Sequence, residues 1–240
     1  MSGRCFGDTR DLFKFDLVRH IMKSLPDLAG FTFVPMLTGT EADGHRKNAA
    51  KKDLEQAYRT GKAGSQNQKL RKHLARLQEI DNDLEYITGI NTYFDKEMIL
   101  IDISGGQRFT SNERISYFRS VFGKFPKNSL IFIDPDTGLK EESPDCKHLL
   151  YSEIKMICDR MDTGSILMLY QHFPRGKHED AIRETSTRLE QYTGFNTAVV
   201  TDNETAFFIL AKNQKLEDRL KNSLECYADT YPALQCVNCA

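Results

Sequence analysis

Two carboxylates separated by one proline, at the end of an apolar run, are where this sequence is best equipped for chemistry. They are Asp134 and Asp136 in Ile133-Asp134-Pro135-Asp136-Thr137-Gly138-Leu139. Two like charges this close repel unless a cation sits beside them, so the pair calls for a metal ion, a substrate amine or an internal Lys or Arg. Gly138 lets the backbone turn sharply or approach a ligand closely. Asp, Pro and Gly are also ordinary turn residues, so a capped turn is the plain alternative. A second polar group, Tyr170, Gln171, His172 and Arg175, follows the next apolar run. His172 can move a proton near neutral pH, and Arg175 can clamp a carboxylate or phosphate. A polar loop beside a core tyrosine is the plain alternative there.

Three further segments are candidates. In Gly7-Asp8-Thr9-Arg10-Asp11-Leu12-Phe13-Lys14, a glycine turn opens a helix on which Asp11 and Lys14 share a face. The first N–H groups of that helix are able to receive an anion, although Asp8 is placed to cap them itself. Asp102 with Gly105 and Gly106 follows an apolar run and offers room for the polar end of a ligand. The pattern is not GxGxxG, and a glycine turn is its commoner meaning. Cys236 and Cys239 form a CxxC at the tail, with Cys226 upstream. No fourth ligand for zinc is apparent nearby, so a redox pair or free thiols compete with a metal. The other cysteines are scattered and read as free thiols.

The elements that would position these groups follow from periodicity. Residues 8–24 read as a helix capped by Asp8 or Thr9, with Phe13, Leu17 and Ile21 on one stripe, and 31–37 as a strand with an irregular or edge character at Pro35. Residues 45–86 read as two polar helices broken near 61–65. Short apolar strands are predicted at 98–103, 129–134 and 165–170, with helices at 111–122, 149–161 and about 177–192. Two more strands, 197–201 and 206–211, are joined by four turn-forming residues, and a last helix covers 213–227. Four residues can link antiparallel strands only. The expected fold is therefore α/β and Rossmann-like: a mostly parallel sheet covered by helices on both faces, with a C-terminal antiparallel hairpin, as in methyltransferases. The expected organisation is a single α/β domain over 1–240 with a helical, basic insertion at 43–90.

Composition narrows the function classes. The 240 residues are 40% apolar and 28% charged, with a net charge of −1, so the chain can bury a core and is not uniformly basic. Within residues 46–76, however, Arg46, Lys47, Lys51, Lys52, Arg59, Lys62, Lys69, Arg71, Lys72 and Arg76 face only Asp53 and Glu55. That is a local positive face able to follow a phosphate backbone, or else a solvated helix surface. No apolar run is long enough to span a membrane, and the charged N-terminus has no signal core, so a cytoplasmic location is expected.

Two resemblances attach to these motifs. The order of elements resembles bacterial ribosomal-RNA adenine-N6 methyltransferases of the J type, with Gly7, Asp11 and Lys14 matching their N-terminal segment, Asp134-Pro135 their catalytic strand end, and Tyr170 to Pro174 the following one. That resemblance implies methyl transfer to nucleic acid or a nucleotide, with S-adenosylmethionine near Asp11, Asp102, Gly105 and Gly106 and the acceptor held by Asp134. Position 136 is Asp where those enzymes carry Pro, and no close glycine pair follows the first strand, so other chemistries stay open. In one, Asp134 and Asp136 bind Mg²⁺ or Mn²⁺ for phosphoester hydrolysis, with His172 moving a proton and Arg175 clamping a phosphate. In another, the chain binds nucleic acid without catalysis. More specifically, GDTRDLFKFD, IDPDTGL and LYQHFPR together resemble an uncharacterised bacterial family, which implies no activity. The expected site is Asp134, Asp136, His172 and Arg175, with Lys14 and Asp11 approaching.

Overall fold

The computed structural model describes residues 7–37, 54–80, 82–94, 109–122, 125–142, 146–173, 178–202 and 204–239. Helix α1 (Thr9–Ser24) is capped by Asp8, whose side chain accepts from the N–H groups of Arg10 and Asp11. Strand β1 (Gly30–Pro35) leads to three helices, α2 (Leu54–Arg59), α3 (Gln68–Leu77) and α4 (Asp83–Tyr93). Next come α5 (Arg114–Phe122), β2 (Ser129–Asp134) and a small parallel pair, β3 (Gly138–Lys140) and β4 (His148–Leu150). Then follow α6 (Tyr151–Arg160), β5 (Ile166–His172), α7 (His178–Thr193), β6 (Thr197–Thr201) and β7 (Thr205–Ala211). Helix α8 (Gln214–Thr230) and strand β8 (Gln235–Val237) end the chain. The strand predicted at 98–103 lies outside the described residues.

The expectation of a mostly parallel, Rossmann-like sheet of the methyltransferase kind is overturned. The six-stranded sheet has the order β1-β2-β5-β7-β6-β8, and only β1, β2 and β5 run parallel. The pairings β5–β7, β7–β6 and β6–β8 are all antiparallel. An apolar strand records burial on both faces but not direction. The four-residue link fixes β6 against β7, but nothing local says that β7 inserts beside β5 or that the tail adds β8. The small β3–β4 pair and β8 carried no periodic signal at three residues each.

Strand alternation sorts the core into two layers. Leu130 and Phe132 of β2, and Ile166, Met168 and Tyr170 of β5, face the layer built by α1, α3, α4 and α8. Ile131, Ile133, Leu167 and Leu169 face α5, α6 and α7. Helix α1 sits deep in the first layer, where Phe13 meets Phe207 edge-on at 4.8 Å and Phe15 meets Phe33 at 5.5 Å between ring centroids. Burying one such side chain stabilises the fold by about 1.5–3 kcal/mol. The region read as an insertion joins this layer: Leu54, Leu70, Leu74, Tyr86 and Ile90 belong to the same apolar cluster as α1 and β2. It has three described helices rather than two.

Candidate functional site

Lys14 lies one turn into α1, between Phe13 and Phe15, on a helix that is buried on nearly every side. A lysine there cannot reach solvent and must find a carboxylate. Alternation supplies it. Asp134 continues the parity of Leu130 and Phe132, so its side chain drops toward α1 instead of outward. Lys14 Nζ donates to Asp134 Oδ2 at 2.9 Å and lies 3.4 Å from Asp11 Oδ1. The same ammonium sits 4.2 Å from the centre of the Tyr170 ring, a cation–π contact. Asp11 Oδ2 in turn accepts from the Tyr86 hydroxyl at 2.5 Å and the Gly7 N–H at 2.9 Å. Lys14, Asp11 and Asp134 are 6%, 3% and 1% exposed, so the network is interior.

Its electrostatics follow from burial. Desolvation alone would depress the Lys14 ammonium, but the Asp134 and Asp11 carboxylates outweigh it, and its pKa lies above the ordinary lysine value. Burial pushes the Asp134 carboxyl above its usual range, with Lys14 pulling the other way. Asp8 is raised by burial and by the neighbouring Asp11 charge. The Tyr170 phenol is pushed up to about 12, first by burial and then by Asp134, with Lys14 opposing. Removing one partner of such a pair strands the other charge in the interior, at about 3–5 kcal/mol.

The loop beyond Asp134 is held separately. Gly138 has φ of 114°, and an added Cβ would lie 2.5 Å from the Gln171 side chain. Gln171 Oε1 accepts from the Leu139 N–H at 2.6 Å, and its Nε2 donates to the His172 carbonyl at 2.8 Å. The tips of β2 and β5 therefore do adjoin, as parallel neighbours in register with Ile133 opposite Leu169. Asp136 and His172 are both half-buried at this end of the sheet.

The predicted residues thus divide. Asp11, Lys14 and Asp134 come together, joined by Tyr170 and by Tyr86, which sequence reasoning missed. Asp136 and His172 sit at the neighbouring tips. Arg175, Asp102, Gly105 and Gly106 lie outside the described residues, as do Arg46, Lys47, Lys51 and Lys52. A divalent ion at Asp134 would have to displace the Lys14 ammonium from a carboxylate with almost no exposure, so the Asp134 and Asp136 pair does not fit a metal. Among the described residues, no three His, Cys, Asp or Glu side chains are grouped to hold one. At the tail, Cys236 and Cys239 form a disulfide, while Cys226 is free and exposed.

The signal for the buried network was present. Leu12, Phe13, Phe15, Leu17 and Val18 surround Lys14 with apolar residues on several faces, which marks a buried helix. Tyr86 had no such marker, since its role depends on α4 folding back over the start of α1. Gly7 records the close approach of α3 instead: with φ of 70°, its Cβ would meet the Leu74 carbonyl at 2.6 Å, and Gln78 donates to its carbonyl.

On α3, Lys69, Lys72 and Arg76 are exposed at i, i+3 and i+7, opposite the buried Leu70, Leu74 and Leu77. Arg71 differs: it is buried, pairs with Glu55 at 2.7 Å and stacks on Tyr58. Comparison with protein-family models and with curated proteins finds no match for this chain. No helix among the described residues is long and apolar enough to cross a membrane.

Proposed function

We propose that this chain binds nucleic acid through the outer face of α3, and that the Lys14–Asp134 pair is a structural lock beneath it. The observation that carries this reading is the exposed stripe of Lys69, Lys72 and Arg76, with no acidic residue in α3. Neighbours at i, i+3 and i+7 lie one above another on a helix face, spaced to meet successive phosphates. The apolar side of α3 is anchored by Leu70 and Leu74, so the stripe is presented on a rigid support. Arg59 extends the exposed positive charge on α2.

The test is fluorescence anisotropy with single- and double-stranded RNA and DNA across a salt series. Neutralising three phosphate contacts should steepen the salt slope by roughly 2–3 units. Lys69→Gln, Lys72→Gln and Arg76→Gln together should remove that slope. Binding that is absent in the parent chain, or unchanged in the triple variant, refutes the reading.

A second reading is favoured by one observation, the adjacency of the β2 and β5 tips. Under it, Asp136 and His172 handle a proton on a nucleotide or nucleic-acid substrate, and Asp134, paired with Lys14, anchors the end of β2 without touching the substrate. Thermal shift supplies the test: S-adenosylmethionine or a nucleoside monophosphate should stabilise the parent chain and not Asp136→Ala.

A further inference from the structure

A pocket of about 270 Å³ lies between the last turns of α1 and of α8. Helix α1 supplies Arg19, His20 and Lys23 to its lining, and α8 supplies Tyr227 and Thr230. Asn67, the N-cap of α3, lines it too. The pocket therefore opens at the start of the helix that carries Lys69, Lys72 and Arg76.

The cations here are not matched within the protein. Among the described residues, Arg19, His20 and Lys23 have no carboxylate partner. Arg19 gives one N–H to the Tyr93 hydroxyl at 2.6 Å, and His20 Nε2 donates to the Ser223 carbonyl at 2.8 Å. Both acceptors are neutral. A guanidinium has five N–H donors and an ammonium three, so most of those on Arg19 and Lys23 stay available. The one carboxylate in the lining, Asp16, is 8% exposed and already accepts from Asn67, Tyr227 and Tyr231. The ends of α1 and α8 each add about half a negative charge, and the start of α3 about half a positive one. Two full cations exceed Asp16 and the helix ends together, so the pocket keeps a positive balance without counting His20.

The balance continues onto α3. Arg19 Cζ lies 5.8 Å and Lys69 Nζ 5.9 Å from the centre of the same Tyr93 ring. Pocket and stripe thus form one positive path around Tyr93, and α3 has no acidic residue to break it. Arg19 and His20 are half-buried, so their positions are fixed by the fold, whereas Lys23 is exposed and able to close over a ligand. We propose that this pocket binds a phosphate group of the strand that lies along α3. The strand path rests on the α3 reading, while affinity for phosphate itself does not.

Fluorescence anisotropy of the full chain with a labelled single-stranded oligonucleotide tests this. Arg19→Gln together with Lys23→Gln should weaken binding by about tenfold and lower the salt slope by roughly 2 units. Arg19 also holds Tyr93, so two variants at exposed positions guard against a folding defect. Lys23→Gln alone should lower the slope by roughly 1 unit. Thr230→Glu puts a carboxylate at the pocket while leaving every cation in place, and should weaken binding comparably. Lys155→Gln, on α6 and paired with Asp159, should change neither quantity. Oligonucleotide binding unchanged in both Lys23→Gln and Thr230→Glu overturns the pocket and leaves α3 binding intact. If the parent chain binds no oligonucleotide, the α3 reading fails and inorganic phosphate decides the pocket. A melting temperature raised by about 20 mM phosphate over chloride of equal ionic strength, and not raised in the double variant, upholds it. No such difference overturns it.

Discussion

The interior below the β2 tip and the outer face of α3 both gather charge, yet they use it in opposite ways. Below β2, Lys14, Asp11 and Asp134 are desolvated, paired within 2.9–3.4 Å, and braced by Tyr86 and Tyr170. On α3, Lys69, Lys72 and Arg76 stand in water with no carboxylate in their own helix. The interior charges hold helix α1 to strand β2 and are costly to disturb. The surface charges contribute almost nothing to stability and are free to meet an outside anion. Asp16, also on α1, offers a third arrangement: it accepts from Asn67, Tyr227 and Tyr231, so neutral donors replace a cation.

The sharpest way to break this contrast is Lys14→Met. It leaves two buried carboxylates without their cation, and urea unfolding at pH 7 should show a loss of about 3–5 kcal/mol. Adding Asp134→Leu should recover part of that loss, because the contact between positions 14 and 134 is then apolar while Asp11 keeps only its Tyr86 and Gly7 donors. A Lys14→Met variant weakened by less than about 1 kcal/mol, as at a surface pair, would mean the interior site is not a lock.

Alkaline pH probes the same cluster. Tyr170 has its phenol raised from 10.0 to about 12. Below pH 10 both folded and unfolded chains hold this proton and its contribution is complete. Between pH 10 and 12 the unfolded chain releases the proton while the folded one keeps it, so stability falls as pH rises. Two units correspond to about 2–3 kcal/mol. The raised Lys14, Tyr86 and Tyr227 act in the same direction above their ordinary values. Unfolding free energy should therefore change little from pH 8 toward pH 10 and drop from pH 10 to 11, and Tyr170→Phe should flatten the drop.

Gly138→Ala should have the next largest effect, about 1–3 kcal/mol, because it forces a side chain into a positive-φ position against Gln171. Thermal unfolding of Gly138→Ala with and without Gln171→Ala separates the two causes: relief by the second change assigns the cost to collision, persistence to the backbone. The smallest stability effect belongs to the α3 triple variant. Its unfolding free energy should stay within about 0.5 kcal/mol of the parent while nucleic-acid binding is lost. A large loss of stability there would erase the distinction between the two regions.

Local pattern fixed a good deal of this protein. Short apolar runs placed β2 and β6 on the residues predicted for them, and a capping residue at the start of α1 was legible from residue type, although only the structure picks Asp8 over its neighbour Thr9. The strand-end position of Asp134 and the helix-face relation of Asp11 and Lys14 were legible for the same reason: each depends on chain spacing over a few residues. What joined them was not. Lys14 and Asp134 are 120 residues apart, and which face of β2 receives Asp134 depends on where α1 packs. The same holds for strand direction, since an apolar run buried on both sides looks alike whether its neighbour is parallel or antiparallel. Residue types and short-range periodicity are properties of the chain. Pairing, parity and the partner of each buried charge belong to the packed molecule, where burial makes an unmatched group too costly to keep.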